Sequence, residues 1–510
     1  MNKIHRKTAI AETSDILLAA YDQGESFHWG RYEAQLPLCA FTANGLSCRK
    51  CFQGPCRINP FGDEPSRGVC GADRDQIVME SLFQATLDGV LETARSLALL
   101  DERFPGGNLP DAFPELPRET VKRLTAEGVL PVRKEDLFAV QNSYFSSKAY
   151  LGRTLRDLAR LGLIHYRLLK EMQARFESFG RELPVFHPEG VNILITGQAP
   201  LPALNGLVER AGERPGGKAF NLFLEPSKAA PGFLTLADHG SPELALAMNL
   251  DALLIGADAS FPALAGLAEK TGIPVFLAEE APEKVLDLAL QHHRGRSYLT
   301  SSRLLPAPPG MNPGPLDEKK EEIRGAFRSG DIQGILVVFA EPNVKQSFFA
   351  RSLDLAEEGI RRGLLVLIAG AISAQVEPLS RELTRRFGGT PPRSPLLYPG
   401  SFYDIPNWVP FFRELNSGRG FDRLAAVISF PEFYRTSTWA AAVTFLSLGF
   451  AVQIGTPLPF WGSPGLTEIL LKQWPRVSGG ILLASPGLPD SQTQAREIGE
   501  VMETRKGGKA

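Results

Sequence analysis

The sequence predicts an α/β protein in three parts: an N-terminal helical domain with a cysteine-rich metal loop at 1–188, then two doubly wound, Rossmann-like parallel-sheet domains at 189–325 and 326–510. Three observations predict it. All five cysteines of the 510 residues fall between Cys39 and Cys70. After Cys70, to about residue 185, apolar residues recur at three- and four-residue steps, the period of an amphipathic helix. From Gly190 onward the texture changes to short continuous apolar runs separated by helical stretches, the pattern of buried parallel strands.

Residues 1–38 are mixed in character and partly helical, with Trp29 and Tyr32 available to pack near the cysteine loop. In that loop Cys48, Cys51, Cys56 and Cys70 form C-x2-C-x4-C-x13-C on a Gly/Pro-rich background, which can fold around one metal centre without strain. Structural zinc usually takes two C-x2–4-C knuckles, and Cys56 with Cys70 is not one. Iron–sulphur clusters also take four thiolates and tolerate more varied spacings, so the spacing favours iron–sulphur while leaving zinc open. Arg49, Lys50 and Arg57 supply positive charge that offsets thiolates and lowers thiol pKa, or else they are ordinary surface charges. Ile77, Val78, Leu82, Ala85, Val90, Leu91 and Leu97 predict a long helix with one apolar face, and Asp73 and Asp75 near its start suit the helix dipole. Residues 104–117 read as a loop, and 143–176 as a second helix whose charge pairs suggest a solvated outer face.

The strand-like runs are 191–197, 220–225, 252–257 and 274–278, then, beyond a Pro-rich linker at Leu305–Pro315, 334–340, 364–370, 425–430, 450–455 and 480–485. Doubly wound sheets bind ligands at the carboxyl ends of their strands. No G-x-G-x-x-G follows the first strand of either domain, and no Walker-type phosphate loop occurs, which argues against a nucleotide site there. His292 and His293 lie in a polar stretch and read as surface residues rather than metal ligands, and His239 is equally uninformative.

The segment G-L-S-C-R-K-C-F-Q-G-P-C-R-I-N-P-F-G, followed by G-V-C-G-A-D-R-D-Q-I-V, resembles the N-terminal cluster-binding segment of anaerobic nickel–iron carbon monoxide dehydrogenases. The resemblance is specific over 39–78 and weaker but collinear beyond. It implies that Cys48, Cys51, Cys56 and Cys70 hold a [4Fe-4S] cluster that relays electrons, in a helical iron–sulphur domain followed by two Rossmann-like domains. The family's nickel–iron cluster takes one histidine and five cysteines at strand ends, and none of them is present. The corresponding positions are Gln198, a residue near Pro226 or Ser227, Ala259, Glu341, Ala371 and Phe402. Alanine and phenylalanine cannot ligate a metal, and one Glu and one Gln are too few soft donors for such a centre. Thr93 stands where the family has a catalytic histidine, and Ser437 where it has a lysine. No nickel and no carbon monoxide oxidation at the usual site are therefore expected. Family members also share a second cluster across a dimer axis through two cysteines per chain. Cys39 matches one and Ser47 replaces the other, so the expected homodimer lacks an ordinary four-cysteine bridge. The alternatives for Cys39 are a free thiol, an inter-subunit disulfide, or a cluster completed by unusual ligands.

With 55 Lys+Arg against 57 Asp+Glu, the net charge of −2 offers no basic field for nucleic acid. No run of about 18 apolar residues and no signal-type apolar core predicts a membrane location, and thiols without a disulfide framework suit a cytoplasmic protein. The sequence thus supports an electron-transfer protein that keeps one cluster and docks a redox partner or larger complex. A scaffold with a structural cluster is a second reading. A third is an oxidoreductase whose emptied cavity uses Glu341, Asp258, Gln198, Tyr403 or Asp404, although such residues more commonly cap helices and satisfy buried backbone.

Overall fold

A computed structural model describes residues 7–22, 27–61, 63–100, 113–132, 151–175, 182–183, 186–187, 189–197, 199–213, 220–225, 232–236, 240–256, 262–296, 316–388, 398–400 and 405–507. The N-terminal part holds helices α1 (Ala11–Asp22), α2 (His28–Ala34) and α3 (Ala40–Ala43), then a two-stranded ribbon, β1 (Ser47–Cys48) and β2 (Cys56–Arg57). Helices α4 (Arg74–Leu100), α5 (Arg118–Ala126) and α6 (Leu151–Arg175) follow. The apolar face read from the sequence is the buried face of α4: Ile77, Val78, Leu82, Val90 and Leu97 are all at most 1% exposed.

Helix α6 departs from the expectation of a solvated outer face. From Leu155 to Met172 nearly every residue is buried, His165, Arg167 and Asp157 included. Its charged residues are accommodated individually: Arg167 donates to the Val132 carbonyl and lies over the Phe113 ring. Trp29 also departs from expectation, packing 4.6 Å from Phe348, far along the chain, rather than at the cysteine loop.

Both α/β domains are fully parallel. The first combines β3 (Glu182–Leu183), β4 (Val191–Thr196), α7 (Leu201–Glu213), β5 (Phe220–Leu224), β6 (Leu234–Leu236), β7 (Ala252–Ile255), α8 (Pro262–Lys270), β8 (Val275–Leu277) and α9 (Pro282–Gly295), in strand order β3-β6-β5-β4-β7-β8. The second begins with α10 (Leu316–Ser329), β9 (Gly334–Phe339), α11 (Ala350–Arg361), β10 (Leu364–Ala369) and α12 (Val376–Arg386). It continues through β11 (Tyr398–Gly400), α13 (Ile405–Leu415), β12 (Ala426–Phe430), α14 (Thr436–Leu448) and β13 (Ala451–Ile454), then α15 (Pro464–Lys472), α16 (Trp474–Val477), β14 (Ile481–Ala484) and α17 (Ser491–Gly507). Its strand order β11-β10-β9-β12-β13-β14 reverses between β9 and β12, the topological switch point where such sheets open a crevice.

The continuous apolar strands bury both faces, and alternate residues serve different cores. Ile335, Val337 and Phe339 of β9 join the core shared with α4 and α6, whereas Leu336 and Val338 face the core shared with α1 and the first sheet. The far face of the first sheet, with Ile193 and Leu254, closes a third core under α7 and α9. Helix α14 ties the parts together. Ser437 through Leu448 are all buried, and the helix lies against α4 and α6, which explains why it is apolar on every side. A Cβ on Gly162 of α6 would stand 2.7 Å from the Val443 carbonyl oxygen, so glycine allows the two helices to touch.

Candidate metal loop and strand-end crevice

The cysteine loop is anchored at its base by Leu46 and Ile58, both buried, with the Ile58 N–H donating to the Leu46 carbonyl at 2.9 Å. The ribbon pairs Cys48 with Cys56 directly. Beyond Cys56 the chain turns back so that the Val69 N–H donates to the Cys56 sulphur at 3.4 Å. Burial pushes the Cys48 thiol up, and the nearby charges of Glu80, Cys56 and Cys70 push it the same way. Three of the four predicted ligands are thus mutual neighbours, while Cys51 sits at the exposed tip. Among the described residues no three His, Cys, Asp or Glu side chains converge at metal-holding distance. The donor chemistry nonetheless fits an iron–sulphur cluster: four thiols on one loop, and a backbone N–H aimed at sulphur to stabilise thiolate charge.

The flanking charges divide. Lys50 pairs with Glu80 of α4 at 2.9 Å, so it pins the loop to the helix. Arg57 lies 5.4 Å over the Phe41 ring, and its charge helps hold the Cys39 thiol low. The main cause of that lowering is the Thr42 hydroxyl, whose oxygen also lies 3.3 Å from the Ser47 hydroxyl. Cys39 and Ser47, the two positions of the expected bridging site, are therefore linked through one threonine. None of the five cysteines is joined in a disulfide.

At the strand ends, Gln198, Pro226, Ser227, Asp258, Ala259, Phe402, Tyr403 and Asp404, and also His239, lie outside the described residues. Glu341 follows β9 and is buried, paired with Arg435 at 3.1 Å, and its N–H donates to the Glu432 carbonyl. Ala371 follows β10, buried and without a donor side chain. Glu432, just after β12, was not singled out from the sequence. It has no exposed surface, accepts from Ser352 at 2.8 Å, and is pushed up to about 8 by burial. The helix positions form a second polar knot: Thr93 lies 3.0 Å from His165 Nε2, and His165 Nδ1 lies 2.9 Å from Thr444. Burial pushes His165 down to about 3, so the ring is neutral and engaged at both nitrogens. Ser437 is buried near the start of α14. His293 is buried rather than at the surface, and His292 beside it is partly exposed. They flank the fully buried Asp251, each 3.4 Å away, with Arg296 at 2.8 Å. This cluster fastens the start of β7 to the end of α9, and the carboxylate, not the histidine spacing, is what buries it.

The chain thus joins two parallel, doubly wound sheets to a helical part that carries a four-thiol loop. Residues 46–103 match the Prismane/CO dehydrogenase family. Carbon monoxide dehydrogenase 1 of Carboxydothermus hydrogenoformans is 22% identical over 98% of this chain and 99% of its own length. Carbon monoxide dehydrogenase of Rhodospirillum rubrum is 48% identical over 86 residues, 16% of this chain and 14% of its own. Among solved structures, carbon monoxide dehydrogenase IV of Carboxydothermus hydrogenoformans superposes with a TM-score of 0.75 at 19% identity, covering 98% of this chain and 99% of that one. The likeness is thus specific over the signature segment, while the whole-length superposition shows a shared fold. No described helix is long and apolar enough to cross a membrane.

Proposed function

We propose that this chain is a carbon monoxide dehydrogenase-like electron-transfer protein that holds one [4Fe-4S] cluster on Cys48, Cys51, Cys56 and Cys70 and does not oxidise carbon monoxide at the family's usual site. When bound, such a cluster supplies a one-electron relay. The residues around it bind the iron through thiolates, direct the Val69 N–H at the Cys56 sulphur, and hold the loop on α4 through Lys50 and Glu80. The observation that carries the reading is at the switch point. Glu341, a crevice position with a metal-capable side chain, is committed to a buried pair with Arg435, and Ala371 offers nothing. Releasing Glu341 for a metal would break its ion pair with the largely buried Arg435, and breaking a buried pair costs up to about 3–5 kcal/mol.

The reading includes a homodimer formed without a four-cysteine bridging cluster and a soluble redox partner in the cytoplasm. The exposed Phe52, Phe61 and Val69 around the loop favour docking there. Anaerobically purified protein is expected to carry about four iron per chain, no stoichiometric nickel, and a reversible one-electron signal. Single Ala substitutions at Cys48, Cys51, Cys56 or Cys70 should abolish iron binding, and Cys39→Ala should not. Stoichiometric nickel or zinc in the purified protein would overturn the proposal.

A further inference from the structure

A groove of about 770 Å³ opens beside the cysteine loop, between the segment around Asn59–Pro65 and residues Trp461–Pro464 at the start of α15. That volume lies within the range of small-molecule sites, roughly 300–1,000 Å³. Its floor is fixed by the backbone. The Gly462 N–H donates to the Asn44 carbonyl at 3.1 Å, and Gly45 adopts a φ of +75° where a Cβ would collide with the Pro459 carbonyl. Phe41, Phe61 and Trp461 provide flat aromatic walls, and Phe61 stands 89% exposed at the rim.

The polar groups in the groove are few and unequally engaged. Arg57 stacks on Phe41 and makes no ion pair among the described residues, so its guanidinium edge is available. Arg74 reaches the Pro60 carbonyl at 3.4 Å. Both carboxylate oxygens of Glu64 accept from Ser66 at 2.9 Å, so its charge is directed into its own turn. The indole N–H of Trp461 is buried behind the wall, with no acceptor among the described residues. A cation without a counter-ion, set among aromatic faces, asks for an anion carried on a flat ring. We propose that this groove binds a small planar aromatic molecule bearing one anionic group, its ring stacked against the aromatic walls and its anion on Arg57. This inference stands on the groove alone, whether or not the adjacent loop relays electrons.

Flavin mononucleotide and riboflavin make a suitable probe pair, sharing a ring and differing in the phosphate. Isothermal titration of the iron-loaded full chain should show saturable binding of flavin mononucleotide near one per chain, with riboflavin at least tenfold weaker. Arg57→Gln should weaken the mononucleotide about tenfold or more while leaving riboflavin within twofold, as a charged hydrogen bond requires. Trp461→Ala, which removes an aromatic wall, should weaken both. Because Arg57 adjoins Cys56, iron content is measured in every variant, and Arg74→Gln provides a second cation change away from the thiols. No saturable heat up to millimolar probe, equal affinity for the two probes, or unchanged affinity in Arg57→Gln at full iron content would each overturn the proposal.

Discussion

Glu432 lies at the carboxyl end of β12 with one oxygen on the Ser352 hydroxyl and the other without a partner, and burial pushes it up to about 8 from 4.5. His165, held between Thr93 and Thr444, is pushed down to about 3 from 6.5 by the same desolvation. The two contribute to stability with opposite signs. The native state keeps a proton on Glu432 that the unfolded chain releases, so this contribution is complete below about pH 4.5 and is lost as pH rises through 8. His165 stays neutral where the unfolded chain charges, so its contribution is complete above about pH 6.5 and is lost as pH falls towards 3. Each limb has a slope of at most about 1.4 kcal/mol per pH unit. Between 4.5 and 6.5 the two cancel, and from 6.5 to 8 only the loss at Glu432 remains. Urea midpoints of the wild type should therefore fall over pH 6.5–8, and those of Glu432→Gln should stay level. A variant that kept the full decline would locate its cause elsewhere.

At the scale of elements, the crossing of α6 and α14 sets packing against helix propensity. Gly162→Ala adds a methyl group 2.3 Å from the Ser447 hydroxyl oxygen and 2.7 Å from the Val443 carbonyl oxygen. The propensity gain of about 1 kcal/mol is outweighed by overpacking of a closed helix contact, for an expected net loss of about 1–3 kcal/mol. Gly266→Ala in α8, where a Cβ meets nothing within 4 Å, should instead gain about 0.5–1 kcal/mol. Denaturant unfolding of the pair measures both signs, and stabilisation of Gly162→Ala would show that the two helices can part. The same elements mark how far sequence reasoning reaches. The nine runs were legible as strands because each is a short, nearly unbroken stretch of apolar residues, and each holds a strand of the two sheets. The two- and three-residue strands β3, β6 and β11 were not, being too short to carry a period. Helix α6 was legible as a helix but not as a buried one, because the Val132 carbonyl and Phe113 ring that accommodate Arg167 lie far away in sequence. Trp29 and His293 were misplaced for a related reason: Phe348 and Asp251, which bury them, lie 319 and 42 residues away. The cysteine loop stood out because its donors are local, whereas the pairing of Glu341 with Arg435 spans 94 residues and needed coordinates.

For the whole molecule, the question is whether a cluster on the loop would hold the fold or only use it. Leu46 and Ile58 seat the loop's base in the main core with Cys48 packed against it, whereas Cys51 and Cys70 are exposed on its outer edge with Phe52 and Val69. The mass of the core lies elsewhere, where α14 locks α4 and α6 onto the second sheet and Trp439 donates to Thr86 at 2.8 Å. Stripping iron anaerobically with a chelator should therefore free the outer loop without loosening the domains. The expected signs are new protease cleavage within 49–55 and 63–70 and a melting temperature lowered by less than about 4 °C, the shift that roughly 1 kcal/mol produces in a domain of this size. A fall of more than about 10 °C, with cleavage spreading into α4, would mean that the metal supplies folding energy for the helical part. The chain would then be a scaffold stapled by its cluster, and the electron-transfer reading would lose its ground, because a centre the fold cannot stand without needs no redox role to account for its four thiols.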